Sequence, residues 1–289
     1  MQTEILYQTY KPLLFSLAYR MLGSVMDAED IVQEVFLLLE KSEDLSSIQN
    51  IKAYLCKIVT NRSIDKLRSS AKKRELYVGT WLPEPFVEDF AKDPSSYYDT
   101  KESISTAYLL LLQQLSEVER AVFLLREVFQ FNYNEIASIV GKTSANCRQI
   151  FHRANKSIMI KNHSTLQDNI DLSRFVEKFA DAVQNGNITE ILSMLKEDAV
   201  YYSDGGGKVN AALRPIYSAD KIARFLLGIM KKIPENSTVC FKIVNGSPGI
   251  ILLIDDMVQY VLSFAIKEGI IEEVYMVANP DKLIHLKHL

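Results

Sequence analysis

The chain has 289 residues, of which 48% are hydrophobic and 24% are charged, and this composition predicts ordinary packed domains and excludes an intrinsically disordered protein. Its length suggests two or three domains rather than one. The net charge of -3 and the isoelectric point near 5.9 argue against binding nucleic acid over the whole surface. Any contact with DNA must therefore come from local basic patches.

Cysteine usage and hydropathy narrow the class of protein further. Cys56, Cys147 and Cys240 lie far apart and show no CxxC or Cys/His spacing, so we expect no metal site, no disulfide framework and no cofactor. The N-terminus lacks the basic and then apolar pattern of a signal peptide, and the longest apolar runs, such as residues 249–254, are too short to span a bilayer. We therefore expect a cytoplasmic protein with no membrane partner.

Residues 1–75 are predicted to form a helical domain. A first apolar run at helical spacing ends at Gly23, and Asp27 opens a second helix that runs to Lys41. The apolar residues of this second helix share its inner face. Its outer face carries Asp27, Asp30, Gln33 and Glu34. Because acidic residues also suit the first turn of a helix, this face is either a capped and solvated surface or an acidic surface for a basic partner protein.

Residues 51–75 form the strongest basic cluster of the chain, with eight Lys or Arg against two acidic residues and thus a local charge of 8 - 2 = +6. Apolar residues at helical spacing anchor the segment as a helix. Its polar and aromatic side chains could hydrogen-bond to or stack on unpaired bases. A basic helix face is also commonly nothing more than solvated surface.

Residues 76–100 have the composition of a linker, rich in proline and acidic residues. Within it, the WLPEP run holds Trp81, the only tryptophan of the chain, together with Pro83. This run is either a local contact between aromatic and proline rings or a docking site for the C-terminal domain or for a partner protein. We take Trp81 and Pro83 as candidate regulatory residues on the second interpretation.

Residues 101–162 are predicted to form a second helical domain that ends in a helix-turn-helix. Capping boxes at Ser116 and Asn132 start two helices, the second of which ends at Gly141, and Thr143 can cap a third. No acidic residue occurs in residues 142–167, so the third helix presents an unneutralised basic face that suits phosphate and base edges. The candidate DNA contacts on this face are Arg148, Gln149, His152 and Arg153. An ordinary helical hairpin with a solvated basic face would give the same pattern.

Taken in this order, these segments resemble an extracytoplasmic-function sigma factor of bacterial RNA polymerase over residues 4–160. Two patterns carry the resemblance, DxxDxxQExF at residues 27–36 and NRxxDxxR at residues 61–68. Lys142 departs from the family, which usually has an apolar residue at this turn. The long stem of Lys142 can still lie along the core with its charge outside.

The resemblance implies a division of labour between sigma region 2 (residues 1–75) and sigma region 4 (residues 101–162). The helix at residues 27–41 would dock on core RNA polymerase, at the clamp helices of its largest subunit, and the helix-turn-helix would read the minus-thirty-five element of promoter DNA. Region 2 would open and read the minus-ten element through Lys57, Asn61, Arg62, Asp65 and Arg68. The linker corresponds to a segment that threads through polymerase near its active centre.

Residues 170–289 are predicted to form a further domain of helices and strands. Two helices begin at Asp171 and Thr189, and another helix lies near residues 219–231. The predicted strands are residues 199–203, 209–216, 238–244, 249–254, 258–266 and 270–277. Helices followed by a run of adjacent strands favour an α+β layer fold with a curved antiparallel sheet wrapped on helices.

This last domain resembles the SnoaL-like cone of polyketide cyclases and ketosteroid isomerases. Its DGGGK and NPDKL runs are those of the sigma-factor group that carries such a domain as a fused regulator. The candidate regulatory residues are Asp204, Gly205, Gly206, Gly207, Lys208, Asn279, Pro280, Asp281, Lys282 and Leu283. The three glycines form either a tight turn or a docking loop, and the second run forms either a terminal turn or a contact with the sigma core.

The sequence thus predicts a multidomain chain, with two all-α domains followed by the α+β cone, and a sigma factor modulated by its own C-terminal domain. A stand-alone, ligand-sensing DNA-binding regulator of transcription remains the alternative. A third class, an isomerase or cyclase, fits the cone, but no His/Asp dyad or nucleophile arrangement is legible, and we expect no catalysis. A small-molecule ligand of the C-terminal domain stays open.

Overall fold

The computed structural model describes residues 2–41, 48–87, 104–159 and 169–287. The chain divides into two compact units. The first unit comprises Met1–Glu75, Phe90–Glu102 and Tyr108–Asn162, and the second comprises Leu76–Asp89, Ser103–Ala107 and His163–Leu289. The N-terminal part of the predicted linker is therefore a structural part of the C-terminal unit, while residues 88–103 lie outside the described residues.

Seven helices belong wholly or mainly to the described part of the first unit. They are α1 (Gln2–Leu22), α2 (Val25–Glu40), α3 (Ile51–Glu75), α4 (Thr106–Gln113), α5 (Glu117–Glu127), α6 (Tyr133–Val140) and α7 (Ser144–Met159). The predicted helix at residues 27–41 begins two residues early, because the Ser24 side chain accepts from the Asp27 backbone N–H and caps the helix there. The predicted inner face of α2 is confirmed, since the residues at its helical spacing are buried, namely Ala28, Ile31, Val32, Val35, Phe36 and Leu39.

The helix-turn-helix forms as its capping signals predict. Asn132 and Glu135 make a capping box at the start of α6, and Gly141 ends this helix in the left-handed conformation (φ 65°). The Thr143 side chain then accepts from the backbone N–H of Asn146 at the start of α7. Cys147, Ala154 and Ile158 are buried on the inner face of α7, and Phe151 is half-buried.

A buried arginine, Arg120, joins the first three helices to the last four. The Arg120 side chain is 4% exposed and donates to the backbone oxygens of Leu112, Leu115 and Met21, so it ties α4 and α5 to the end of α1. The Arg74 guanidinium donates to the neighbouring oxygen of Leu22. Both arginines therefore satisfy carbonyls that the C-terminus of α1 leaves without helical partners. We call Arg74, Arg120 and the end of α1 the arginine joint.

The second unit contains α8 (Asn169–Gln184), α9 (Ile188–Met194), α10 (Ala219–Met230) and six strands. The strands are β1 (Leu195–Asp204), β2 (Ile216–Tyr217), β3 (Ser237–Val244), β4 (Ser247–Ile254), β5 (Met257–Lys267) and β6 (Ile270–Val277). They form one sheet in the order β2-β1-β6-β5-β4-β3. The α+β fold class with a curved sheet is confirmed, and the sheet is mixed, because β1 pairs parallel to β6 while the other described pairs are antiparallel.

One predicted strand is wrong. Residues 209–215 form an irregular loop, and only Ile216, at the end of the predicted strand, joins the sheet together with Tyr217. Gly206 and Gly207 take positive φ angles of 60° and 70° and turn the chain, and the Gly205 oxygen accepts from the backbone of Lys208. Of the apolar residues that suggested a strand, Val209 and Ala211 lie beside Gly205 of the preceding turn, and Leu213 borders Gly79 of the linker.

A buried apolar core holds the second unit together. Residues of α8, α9 and α10 cover one face of the sheet, with Phe179 packed edge-on against Phe264 and Tyr201 against Phe225. Among the described residues, no helix is long and apolar enough to cross a membrane. The same residues contain no cluster of three or more His, Cys, Asp or Glu side chains that could hold a metal ion.

Candidate functional site

The outer face of α2 carries the four residues predicted for protein docking. Asp30, Gln33 and Glu34 are exposed, and Asp27 is half-buried. Leu37 continues the same helix face one turn further on and leaves 55% of its surface exposed. Sequence analysis missed this apolar extension, because an apolar residue near the end of a helix is first assigned to the core.

The predicted DNA-contacting residues of α3 form an exposed stripe. Its members are Lys57, Asn61, Arg62, Asp65 and Arg68. Arg62 Nε lies 4.0 Å from the Glu34 carboxylate, and Lys66 Nζ lies 2.8 Å from that of Asp27, whose hydrogen bond raises the pKa of Lys66. The acidic face of α2 and the basic stripe of α3, which the sequence suggested as separate surfaces, thus partly neutralise each other. Each exposed pair contributes at most about 1 kcal/mol and can open readily.

The predicted DNA-contacting residues of α7 are all exposed. The Arg148 guanidinium lies 5.1 Å from the centre of the Tyr133 ring, and Arg153 Nε lies 2.6 Å from the Glu119 carboxylate. Hydrogen bonds from Ser116 and the nearby Arg153 lower the pKa of Glu119. Two arginines of the basic face are therefore held in defined positions by α5 and α6 in this structure.

The WLPEP run, the DGGGK run and the NPDKL run meet at one buried carboxylate. The Asp204 side chain is fully buried and accepts from the Tyr77 hydroxyl (2.5 Å), the Leu82 backbone N–H (2.8 Å) and Lys282 Nζ (2.7 Å). It also accepts from the backbone N–H of Gly206 at 3.0 Å. Four donors thus satisfy both oxygens of one charge that would be costly to bury alone.

The ammonium group of Lys282 closes the same site from the other side. Its Nζ donates to the Leu82 backbone oxygen and lies 3.9 Å from the centre of the Trp81 ring and 5.0 Å from that of Tyr77. A cation over two aromatic faces is attracted by both rings, and most strongly by tryptophan. The single tryptophan therefore contacts the NPDKL run through Lys282. We call Tyr77, Trp81, Leu82, Asp204 and Lys282 the linker-docking site.

At two positions of DGGGK, neighbouring side chains leave little room for a Cβ atom, which favours glycine there apart from the shape of the turn. A Cβ atom on Gly206 would lie 2.3 Å from the Asn279 amide nitrogen, and a Cβ on Gly207 would lie 3.1 Å from the Val78 side chain of the linker. Asn279 Nδ2 itself donates to the Tyr77 hydroxyl at 2.8 Å. The Asn279 side chain and the linker can approach the turn this closely only because it lacks side chains.

The Tyr77 hydroxyl links these two runs, because it donates to Asp204 while it accepts from Asn279. Burial and the neighbouring Asp204 carboxylate raise the pKa of Tyr77 well above its ordinary value. The hydroxyl therefore keeps the proton that its hydrogen bond to Asp204 requires.

The remaining residues of NPDKL shape the turn that presents Lys282. Asn279 caps a short 3-10 turn at Pro280–Lys282, in which Pro280 occupies the first position. Asp281 pairs with Lys208 at 2.5 Å, but both side chains are more than half exposed. Leu283 is buried.

A second contact with the linker carries no motif. The buried Asn245 side chain accepts from the Phe86 backbone N–H at 2.7 Å and donates to the Thr106 hydroxyl at 2.9 Å, and Thr106 also contacts the Ser263 hydroxyl. The Asn245 backbone N–H donates to the Phe86 oxygen. Asn245 thus holds both flanks of residues 88–103. Sequence analysis missed it because an Asn-Gly pair between two strands is fully explained by a hairpin turn.

Comparison with known proteins follows this division of the chain. Residues 6–73 match the family described as Sigma-70 region 2, and residues 105–158 match Sigma-70, region 4. The ECF RNA polymerase sigma factor SigJ of Mycobacterium tuberculosis is 30% identical over 96% of this chain and 91% of its own length. A probable ECF RNA polymerase sigma factor, SigI, of the same species is 25% identical over 97% of this chain and 94% of its own.

The similarity extends to three-dimensional structure. The crystal structure of the M. tuberculosis extracytoplasmic-function sigma factor SigJ superposes with a TM-score of 0.77 at 29% identity, over 96% of this chain and 97% of that one. The match includes the C-terminal unit as well as the two helical regions. Both the helical regions and the α+β unit therefore have counterparts in a solved structure.

Proposed function

This chain belongs to the extracytoplasmic-function RNA polymerase sigma factors, and we propose that it binds core RNA polymerase and promoter DNA and is restrained by its own C-terminal unit. The observation that carries the restraint is the pair of contacts, at the linker-docking site and at Asn245, by which that unit holds the linker between the two sigma regions. A protein that works on polymerase and DNA works in the cytoplasm.

The outer face of α2 is the proposed docking surface for the polymerase clamp helices. It combines the exposed carboxylates of Asp30 and Glu34 with the apolar side chain of Leu37. An apolar centre with a charged rim is the composition of a specific protein interface, and the carboxylates would steer a basic partner surface towards it. The pairs that Asp27 and Glu34 make with α3 are exposed and can yield to such a partner.

Replacing Asp30 with lysine should weaken binding to core polymerase about 10- to 100-fold, since it puts a like charge against a basic partner surface (roughly 1–3 kcal/mol). The measurement is fluorescence anisotropy of the labelled chain titrated with core polymerase. Glu235→Lys makes the same change in net charge at an exposed loop position of the C-terminal unit and should bind as the wild type does. Equal affinity of both variants would contradict the proposed docking surface.

The proposed DNA contacts are the exposed residues of α3 and α7. The stripe from Lys57 to Arg68 offers charge for phosphate and the Asn61 amide for unpaired bases, as opening of the minus-ten element requires. On α7, Arg148 and Gln149 can reach base edges, whereas His152 and Arg153 are equally suited to phosphate. Arg153 must leave Glu119 to do so, which the exposed position of Arg153 permits.

Run-off transcription with purified core polymerase tests the main assignment. A promoter-dependent product is expected only when both core polymerase and this chain are present. DNase footprinting without polymerase separates the alternative, a stand-alone regulator, because that protein must bind duplex DNA strongly by itself. Strong footprints without polymerase, together with no run-off product, would reject the sigma assignment in favour of the regulator.

The first unit has a closed arrangement that cannot read a whole promoter. In this structure α3 packs against α5 and α6, and the arginine joint ties α5 to α1. The two promoter elements are about 25 base pairs apart, on the order of 80 Å at ~3.4 Å per base pair. Two regions in direct contact cannot span that distance. We therefore expect the two regions to separate when polymerase and promoter are bound.

Release of the linker is the proposed event that permits this separation. Asn245 holds Phe86, which follows region 2, and Thr106, which begins α4, on a single side chain. While both are held, the chain between regions 2 and 4 starts and ends at one point. Polymerase binding and linker docking then compete, and each disfavours the other to the same extent.

Replacing Asn245 with glycine should raise promoter-dependent transcription at limiting protein, because it removes two buried hydrogen bonds of the linker (about 1–3 kcal/mol). Glycine accepts the left-handed backbone of this position (φ 52°), so the turn itself is preserved. Hydrogen exchange at the Phe86 amide should accelerate in parallel. Asp256→Gly changes another left-handed turn residue (φ 58°) and should leave both readings unchanged. Unchanged transcription and exchange in Asn245→Gly would contradict the restraint.

A further inference from the structure

The second unit contains a cavity of about 470 Å³ between its sheet and its helices. Protein interiors contain few voids larger than a water molecule, whereas volumes of this size are typical of small-molecule sites. The cavity lies between the covered face of the sheet and two helices, and none of its lining residues belongs to the linker-docking site. It is therefore a candidate binding site separate from the linker-docking site.

The floor of the cavity is built by the pairing register of the sheet. Phe241, Ile250, Leu262 and Met276 stand opposite one another on four neighbouring strands and form one row. Val239, Leu252 and Tyr260 form the next row, two residues further along each strand. Because side chains two residues apart share a face, both rows point into the same space. The floor is apolar except for the hydroxyl of Tyr260.

The roof of the cavity comes from two amphipathic helices. Phe179 and Val183 are four residues apart on α8, and Leu226 and Met230 are four residues apart on α10, so each pair faces the sheet. At the mouth, Asp181 and Gln184 on α8 and Thr238 on β3 are exposed. Charge therefore occurs at the rim and not in the interior.

Two features of the lining define the ligand. Tyr260 is half-buried, and its hydroxyl makes no hydrogen bond with the residues that the structure describes, so it can serve a ligand. The described lining contains no Lys, Arg or His that could neutralise an anion, and an ionised group buried without a partner is strongly disfavoured. The lining also offers no pair of carboxylates for acid-base work, which points to binding rather than turnover.

We propose that this cavity binds an uncharged, largely apolar small molecule that places one hydroxyl, carbonyl or amine group against the Tyr260 hydroxyl. The floor and roof bury its apolar surface, and Tyr260 fixes its orientation. This binding is independent of the sigma assignment, because every residue involved lies in the second unit.

Two fluorescent ligands with nearly the same skeleton test the proposal on the full chain. N-phenyl-1-naphthylamine is uncharged and carries one N–H group, whereas 8-anilino-1-naphthalenesulfonate adds an anionic group. The uncharged compound should bind saturably with one equivalent per chain, and the sulfonate at least tenfold more weakly. No saturable binding of the uncharged compound, or equal or tighter binding of the sulfonate, would overturn the proposal.

Three variants locate the bound compound. Val183→Phe fills the cavity from α8 and should weaken binding at least tenfold, while Glu177→Phe puts the same side chain on an exposed position of that helix and should not weaken it. Tyr260→Phe preserves the fold and removes the hydroxyl, and should weaken binding about three- to tenfold. Unfolding midpoints establish that each variant is folded. Wild-type affinity in both Val183→Phe and Tyr260→Phe would assign the compound to another surface and refute the site.

Discussion

Replacing Asp204 with asparagine is expected to free the linker from the C-terminal unit and to destabilise that unit by about 3–5 kcal/mol. The change leaves Lys282 buried without its counter-ion, at 6% exposure. The asparagine side chain also has a single accepting oxygen, whereas the four donors around Asp204 now share two charged oxygens. For a unit of this size, the unfolding midpoint should fall on the order of 10 °C.

Trp81 supplies a direct measurement of this release. It is the single tryptophan and lies against the Lys282 ammonium, so its emission should shift to longer wavelength when the linker becomes solvated. Asp281→Asn is the matched control. It also replaces a carboxylate with an amide, in the NPDKL run, but it breaks only an exposed pair with Lys208. That pair contributes at most about 1 kcal/mol.

The double variant Asp204→Asn with Lys282→Met separates lost charge pairing from lost packing. Because methionine is uncharged, the double variant contains no buried charge without a partner. It should therefore regain part of the stability that Asp204→Asn alone loses. If Asp204→Asn kept the emission and the unfolding midpoint of Asp281→Asn, the linker-docking site would not hold the linker. Additive effects of the two changes would show that Asp204 and Lys282 do not act as a pair.

Most of the local structure could be predicted from the sequence, because capping and turn signals act over only three or four residues. The capping box at Asn132 and Glu135 and the turn at Gly141 fix α6 by local hydrogen bonds, and the structure contains both. The inner face of α2 follows from helical spacing alone. Local signals fail where contacts outside the segment decide the outcome, as in residues 209–216, where Leu213 borders Gly79 of the linker and only Ile216 enters a strand.

The candidate site was predicted in part. The three motif runs were identified from the sequence, but their convergence on one carboxylate was not, because Asp204 lies 122 residues from Leu82 and 78 from Lys282 along the chain. Asn245 left no signal at all, since its left-handed backbone is explained by its turn. The pairing of Lys66 with Asp27 was also hidden, because each residue already had a reason to be exposed on its own helix.

The arginine joint gives the second large effect. Replacing Arg120 with alanine should destabilise the closed arrangement of the first unit by about 3–5 kcal/mol, because three buried carbonyl oxygens lose a charged donor and a cavity remains. Burial and the nearby Arg74 lower the pKa of Arg120 to about 10, which still leaves it protonated at neutral pH. Its charge-assisted hydrogen bonds therefore operate under physiological conditions.

The expected result is a longer distance between the two sigma regions, measured by double electron-electron resonance between spin labels at the exposed positions Gln33 and Gln149. Arg126→Ala is the control on the same helix, since Arg126 donates to Phe131 within region 4 and leaves the bond from Arg120 to Met21 intact. It should retain the short distance of the wild type. An unchanged distance distribution in Arg120→Ala would mean that the contacts of α3 with α5 and α6 suffice to keep the regions together. A longer one would identify the joint as the contact that promoter binding has to break.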